Sequence, residues 1–199
     1  MLTSCKNNIR VWIVALAITS QLLSPAAHSL TETPRSFDKL VQLSDMILVG
    51  TVRDVRSEFA NGGLDQNTIF SYVSLSDLNI VKGQVTTAEY VLRVPGGVVG
   101  RFAQDYPGIP SFQIGQRYLV FIRGNNRDLF PVVGISQGMY RILSNTQGQQ
   151  IVIPEDQLNL HSQHSLTTMS QNAPTLDSFI TSIRGQLKQT IPTPTGELP

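Results

Sequence analysis

Cysteine is almost missing from this chain: Cys5 is the only one in 199 residues. It precedes the first apolar stretch, so it is not placed to carry a lipid, and a lone thiol excludes any internal disulfide. Long basic runs are missing too. The arginines are scattered (Arg53, Arg93, Arg117, Arg141), which argues against nucleic acid or an anionic membrane surface as the main partner. No apolar run approaches the roughly 20 residues that span a bilayer. The strongest one, Val11 to Ile18, fades through Leu22 and Leu23 and is interrupted by Ser20 and Gln21.

That short run sits in an export context. Lys6 and Arg10 precede it, Pro25 breaks it, and Ala27-His28-Ser29 offers small residues at −3 and −1 before Leu30. Residues 1–29 therefore read as a signal peptide, with an uncleaved anchor as the alternative. Cleavage removes Lys6, Arg10 and Cys5. Of the 15 Lys+Arg, 13 then remain against 14 Asp+Glu, a net charge of −1. The mature chain has length for one domain that must hold itself together by apolar burial and backbone pairing. Its expected location is periplasmic or extracellular, without a stable membrane span after cleavage.

The mature chain reads mainly as β-structure. Ser36 to Leu43 has Phe37, Leu40 and Val41 at helical spacing, with Ser36 able to cap and Asp38 in the first turn. A long strand follows from Met46 to about Phe59. Its apolar parity changes between Val49 and Val52 around Gly50, which predicts a bulge or sharp bend. Asn61-Gly62-Gly63 signals a turn. A second long strand, Thr68 to Val81, switches parity around Asp77. Further strands are expected at Glu89 to Val94, Arg117 to Arg123 (apolar on both faces and so central) and Leu129 to Val133. Met139 to Leu143 and Ile151 to Ile153 read as a hairpin across Asn145-Thr146-Gln147-Gly148.

Pro154 to Gln171 is polar and reads as a linker. Leu176, Phe179, Ile180, Ile183 and Leu187 then mark an amphipathic helix from Thr175 to Gln189, packing on the barrel or on a partner. The expected layout is a signal peptide at 1–29, a β-barrel domain at 30–170, linker and helix at 171–190, and a disordered proline-rich tail at 191–199. The fold class is mainly β: a small closed or half-closed OB-like barrel with a short N-terminal helix and a C-terminal amphipathic helix. A β-sandwich is the alternative.

The run Leu43-Ser44-Asp45-Met46-Ile47-Leu48-Val49-Gly50-Thr51-Val52 resembles the opening strand of exported bacterial domains related in pattern to the netrin and tissue-metalloproteinase-inhibitor modules. The resemblance continues at Ile80-Val81-Lys82-Gly83 and at Gly115-Gln116-Arg117-Tyr118-Leu119-Val120-Phe121. It implies an OB-type barrel. In the metalloproteinase inhibitors an N-terminal cysteine presents its amine and carbonyl to the protease zinc. Here the expected mature N-terminus is Leu30, and that mechanism has no residue to carry it.

Several constellations invite chemistry. Gly134-Ile135-Ser136-Gln137-Gly138 matches G-x-S-x-G, with Asp156 and His161 or His164 following in the order of the α/β-hydrolases. A strand pattern rather than a helix follows Gly138, so ordinary turn chemistry is the expectation and an exported serine hydrolase the alternative. His161 and His164 lie in a polar segment without ligand spacing for zinc, and Glu155-Asp156 reads as a turn or helix start. Gly96-Gly97-Val98-Val99-Gly100 lacks the lysine of a phosphate loop and serves to bend the chain. No cofactor or metal is expected.

The long connection from Pro95 to Gly115 stands out, with five glycines, three prolines and the aromatics Phe102, Tyr106 and Phe112. Those aromatics, with Tyr90, either stack on a ligand or plug the barrel end. The functional expectation is a non-enzymatic binding module recognising a protein or cell-envelope component through Phe102, Tyr106 and Phe112. An accessory factor or inhibitor of a secreted protease is one version. A structural envelope protein whose terminal helix docks a neighbour is a further alternative.

Overall fold

The computed structural model describes residues 34–60, 67–109, 111–160 and 170–189. The expected signal peptide, the turn expected at Asn61-Gly62-Gly63, His161, His164 and residues 190–199 lie outside them. The protein is mainly β. Among the described residues, eight strands form a six-stranded antiparallel sheet and a separate two-stranded one.

Helix α1 (Phe37–Leu43) leads into β1 (Met46–Phe59), β2 (Ile69–Lys82) and β3 (Tyr90–Pro95). Then come β4 (Gly97–Val99), β5 (Phe102–Gln104), β6 (Arg117–Ile122), β7 (Met139–Ser144) and β8 (Gln150–Pro154). Helices α2 (Glu155–Leu160) and α3 (Leu176–Gln189) complete the described chain. The large sheet runs β3-β2-β1-β6-β7-β8, and β4 pairs with β5.

The parity changes mark real irregularities. The β1–β2 register shifts between Val49 and Thr51, opposite a segment in which Asp77 takes φ 50°. Around Gly50 the backbones crowd, since a β-carbon there would sit 3.1 Å from Leu75 and Leu78. These bulges bend both strands and let one sheet present apolar residues to two cores.

One face (Ile47, Val49, Leu119, Phe121, Ile142, Val152) packs under α1 and α3. The terminal helix thus buries Leu176, Ile180 and Ile183 against its own sheet, with Phe179 and Leu187 partly buried against the same core. On the other face, Leu48, Val52, Val73, Leu92, Val94, Tyr118, Val120 and Met139 pack on one another and on Val132, with no helix in the cluster. β6 lies between these cores, which explains its apolar run.

The sheet does not close by strand pairing among the described residues: β3 and β8 remain its outer strands. Side chains and loops cover them instead. The Asn125 side chain accepts from Arg93 N–H (3.0 Å) and donates to the Val91 carbonyl (2.8 Å), as a neighbouring strand would. Val152 N–H donates to the Pro174 carbonyl at 3.0 Å, covering β8.

Four expectations change. Leu129 to Val133 is not a strand; only a single bridge, Ile122 to Val132, survives, because Pro131 offers no N–H to a ladder. The Pro95–Gly115 connection contains the β4–β5 hairpin, turned at Gly100-Arg101. The polar stretch after Pro154 opens with α2. Ser36 occupies the N-cap position without a capping side-chain bond. Its hydroxyl turns to Asp38, lowering that carboxyl's pKa. The other end of α1 is better held: Lys82 Nζ donates to the Val41 carbonyl at 2.8 Å and Ser44 Oγ to that of Leu40 at 2.7 Å.

Candidate functional site: the cleft beneath the β4–β5 hairpin

After β3 the chain reverses through Gly96 (φ 96°) and Gly97 (φ 132°), conformations that favour glycine. The hairpin is thereby laid across the β1–β2 ribbon. A β-carbon on Gly97 would fall 2.3 Å from Ser57 Oγ and 2.4 Å from Ser71 Oγ, so the backbone rests directly on those hydroxyls. Ser71 Oγ donates to the Gly96 carbonyl at 2.7 Å, and the two hydroxyls lie 3.0 Å apart. Since the Ser71 proton is committed to Gly96, Ser57 is the donor of that second bond. The hairpin's second strand is tied at the same end, where Gln104 lies opposite Gly97: its side-chain amide accepts from Ile69 N–H and donates to the Asn67 carbonyl, both at 2.6 Å.

Bordered by these fastenings lies a cleft of about 440 Å³. Val55, Val73 and Val94 line its sheet side, while Val98, Ala103, Tyr106, Ile109 and Phe112 line the loop side. Polar groups are few: Ser57, Ser71, Asp105 and Ser111 are among them. An apolar volume with sparse polar groups suits a small apolar body or a protruding side chain.

The three aromatics singled out from sequence take different places. Phe112 lines the cleft and meets Tyr118 edge-on at 5.2 Å. Tyr106 lines it and meets Phe130 at 6.0 Å. Phe102 lies outside the wall, half exposed, edge-on to Phe59 at 5.7 Å. Tyr90 joins the edge of the helix-free core and accepts from Asn125 at 3.0 Å. Tyr106 and Phe112 thus both line the cleft, and Phe112 also packs against the helix-free core.

Behind Phe112 a column of contacts fixes the wall. The Arg141 guanidinium lies 5.6 Å from the Tyr118 ring centre, and Gln113 N–H donates to the Tyr118 hydroxyl at 3.2 Å. Arg141 forms a two-pronged pair with Glu155, its Nε 2.9 Å from Oε2. Glu155 is buried, and burial pushes its carboxyl up, against the opposing pull of Arg141.

The remaining motifs are placed simply. Gly134 to Gly138 is a run of turns with Gly138 N–H bonded to the Val133 carbonyl at 2.9 Å, and strand β7 follows it. Ser136 is thus not on a strand-to-helix elbow. Glu155-Asp156 opens α2. Among the described residues no three His, Cys, Asp or Glu side chains gather to hold a metal. No described helix is long and apolar enough to cross a membrane.

Sequence reasoning did not find Ser57, Ser71, Val55 or Gln104, because each reads as an ordinary strand residue. The nearest signal was Gly96-Gly97, which marks a close backbone approach without naming what is approached. The chain matches no protein-family model and no curated protein at a significant level.

Proposed function

We propose that this chain is an exported, non-enzymatic binding module on a half-closed OB-type barrel of the netrin and metalloproteinase-inhibitor pattern. In this reading it holds a protein or cell-envelope component at the cleft beneath the β4–β5 hairpin. A secreted protease is one such partner, engaged without the cysteine-based contact. The observation that carries the reading is the cleft itself, its overlying hairpin fastened to the sheet by the Ser57–Ser71–Gly96 bonds and the Gln104 amide. A site fixed before binding loses little entropy on association. The half-barrel is supported by the bulged strands and by the Asn125 loop reaching the β3 edge.

Ala103→Trp tests it. Ala103 is exposed on the hairpin and lines the cleft, so an indole fills the space without disturbing the core. Partners captured from the exported fraction by the wild-type chain should be lost with this variant while its melting temperature stays within a few degrees. Unchanged capture would assign recognition to another surface.

A further inference from the structure

β1 is twice as long as the sheet needs on one side. Its pairing with β6 ends at Thr51 opposite Arg117, while its pairing with β2 continues to Phe59. From Asp54 to Phe59 that second ladder is regular, without a shift. Ala60 N–H donates to the Thr68 carbonyl at 2.8 Å, which sets the alternation: Asp54, Arg56 and Glu58 turn their backbone groups toward β2. Val55, Ser57 and Phe59 turn theirs away. On that side no described strand meets them.

This open edge contrasts with its neighbours. Asn125 occupies the β3 edge and Gln104 the start of β2. The end of β2 beyond Leu75 also lacks a strand on one side, but the left-handed Asp77 breaks its regularity. Among the described residues, the edge of β1 has neither a covering amide nor a bulge between Asp54 and Phe59. It also borders the cleft, because Val55 and Ser57 line it.

Building on the cleft reading, we propose that the partner is an extended polypeptide segment that adds as a strand to residues 53–59 of β1. The backbone of the segment exchanges hydrogen bonds with Val55, Ser57 and Phe59. One apolar side chain enters the cleft beside Val55, and its neighbours on the opposite face meet Asp54, Arg56 and Glu58. Arg56 and Glu58 lie 3.0 Å apart there, so that face favours polar or charged residues. The recognised pattern is alternating apolar and polar, the usual form of strand addition.

A phage-displayed random heptapeptide library selected on the purified full chain supplies the probe. Amide exchange is then followed with and without the best synthetic heptapeptide. In the free protein Val55, Ser57 and Phe59 should exchange fast, and Asp54, Arg56 and Glu58 slowly. Peptide should slow the first set by about tenfold or more. N-methylation at alternate peptide residues should weaken binding about tenfold, the loss of roughly 1.4 kcal/mol of backbone bonding, and at intervening residues hardly at all. Failure to select any peptide overturns the proposal. So do peptides that bind without slowing these amides or that tolerate N-methylation everywhere; if Ala103→Trp abolishes their binding, the cleft reading survives alone. Edge protection that persists in Ala103→Trp with unchanged affinity supports strand addition and removes the cleft from it.

Discussion

Gly97 carries the hairpin onto the ribbon, and its position tolerates no side chain. Gly97→Ala should cost about 2–4 kcal/mol, combining an unfavourable backbone conformation with a methyl driven into two hydroxyls; chemical denaturation would measure it. Phe112 and Phe102, alike in sequence, should part in the same experiment. Phe112→Ala should cost about 2 kcal/mol, because the ring closes the core against Tyr118. Phe102→Ala should stay below about 0.5 kcal/mol. The Arg141–Glu155 pair gives a pH-dependent case. Arg141→Ala strands a buried carboxylate and should cost about 3–5 kcal/mol at neutral pH. The raised Glu155 pKa means the folded state holds that proton more tightly than the unfolded chain. Its contribution is therefore fully present below the ordinary value of 4.5 and is lost as pH rises through the folded value. Glu155→Gln should flatten this part of the stability–pH profile. Arg141→Ala should be less damaging at low pH, where the stranded carboxyl is neutral.

Among the elements, α3 and the β6–β7 loop do different work. The helix covers one face of the sheet with Leu176, Ile180 and Ile183, so deleting residues 172–199 bares apolar surface across β1, β6 and β8. The truncated chain should be insoluble or aggregate on expression, read by sedimentation. A soluble, folded truncation would place α3 outside the core. The β6–β7 loop instead protects an edge. Asn125→Ala should expose the Arg93 and Val91 backbone groups, cost about 1 kcal/mol, and promote concentration-dependent self-association visible by light scattering. These elements were unevenly legible. The α3 stripe and the β7–β8 hairpin declared themselves by local period, and the bulges by parity. The β4–β5 hairpin stayed hidden, because three-residue strands among glycines are too short to show a period.

For the whole molecule, stability rests on two apolar cores sharing one sheet, with no thiol partner for Cys5. Sequence alone determined the lone cysteine, the mainly β class, the long bent strands, the central β6 and the terminal helix. Each of these is written in composition or in a period of two or 3.6 residues. Only the tertiary structure decided that the sheet's outer strands are covered by an amide and a loop rather than by strand pairing. It also decided that α3 folds back, and that Ser57 and Ser71, with 13 residues between them, carry Gly97 between the walls of a cleft. Contacts of that kind depend on where strands bend and which faces then meet, and a one-dimensional pattern of apolar and polar residues does not encode distances across a fold.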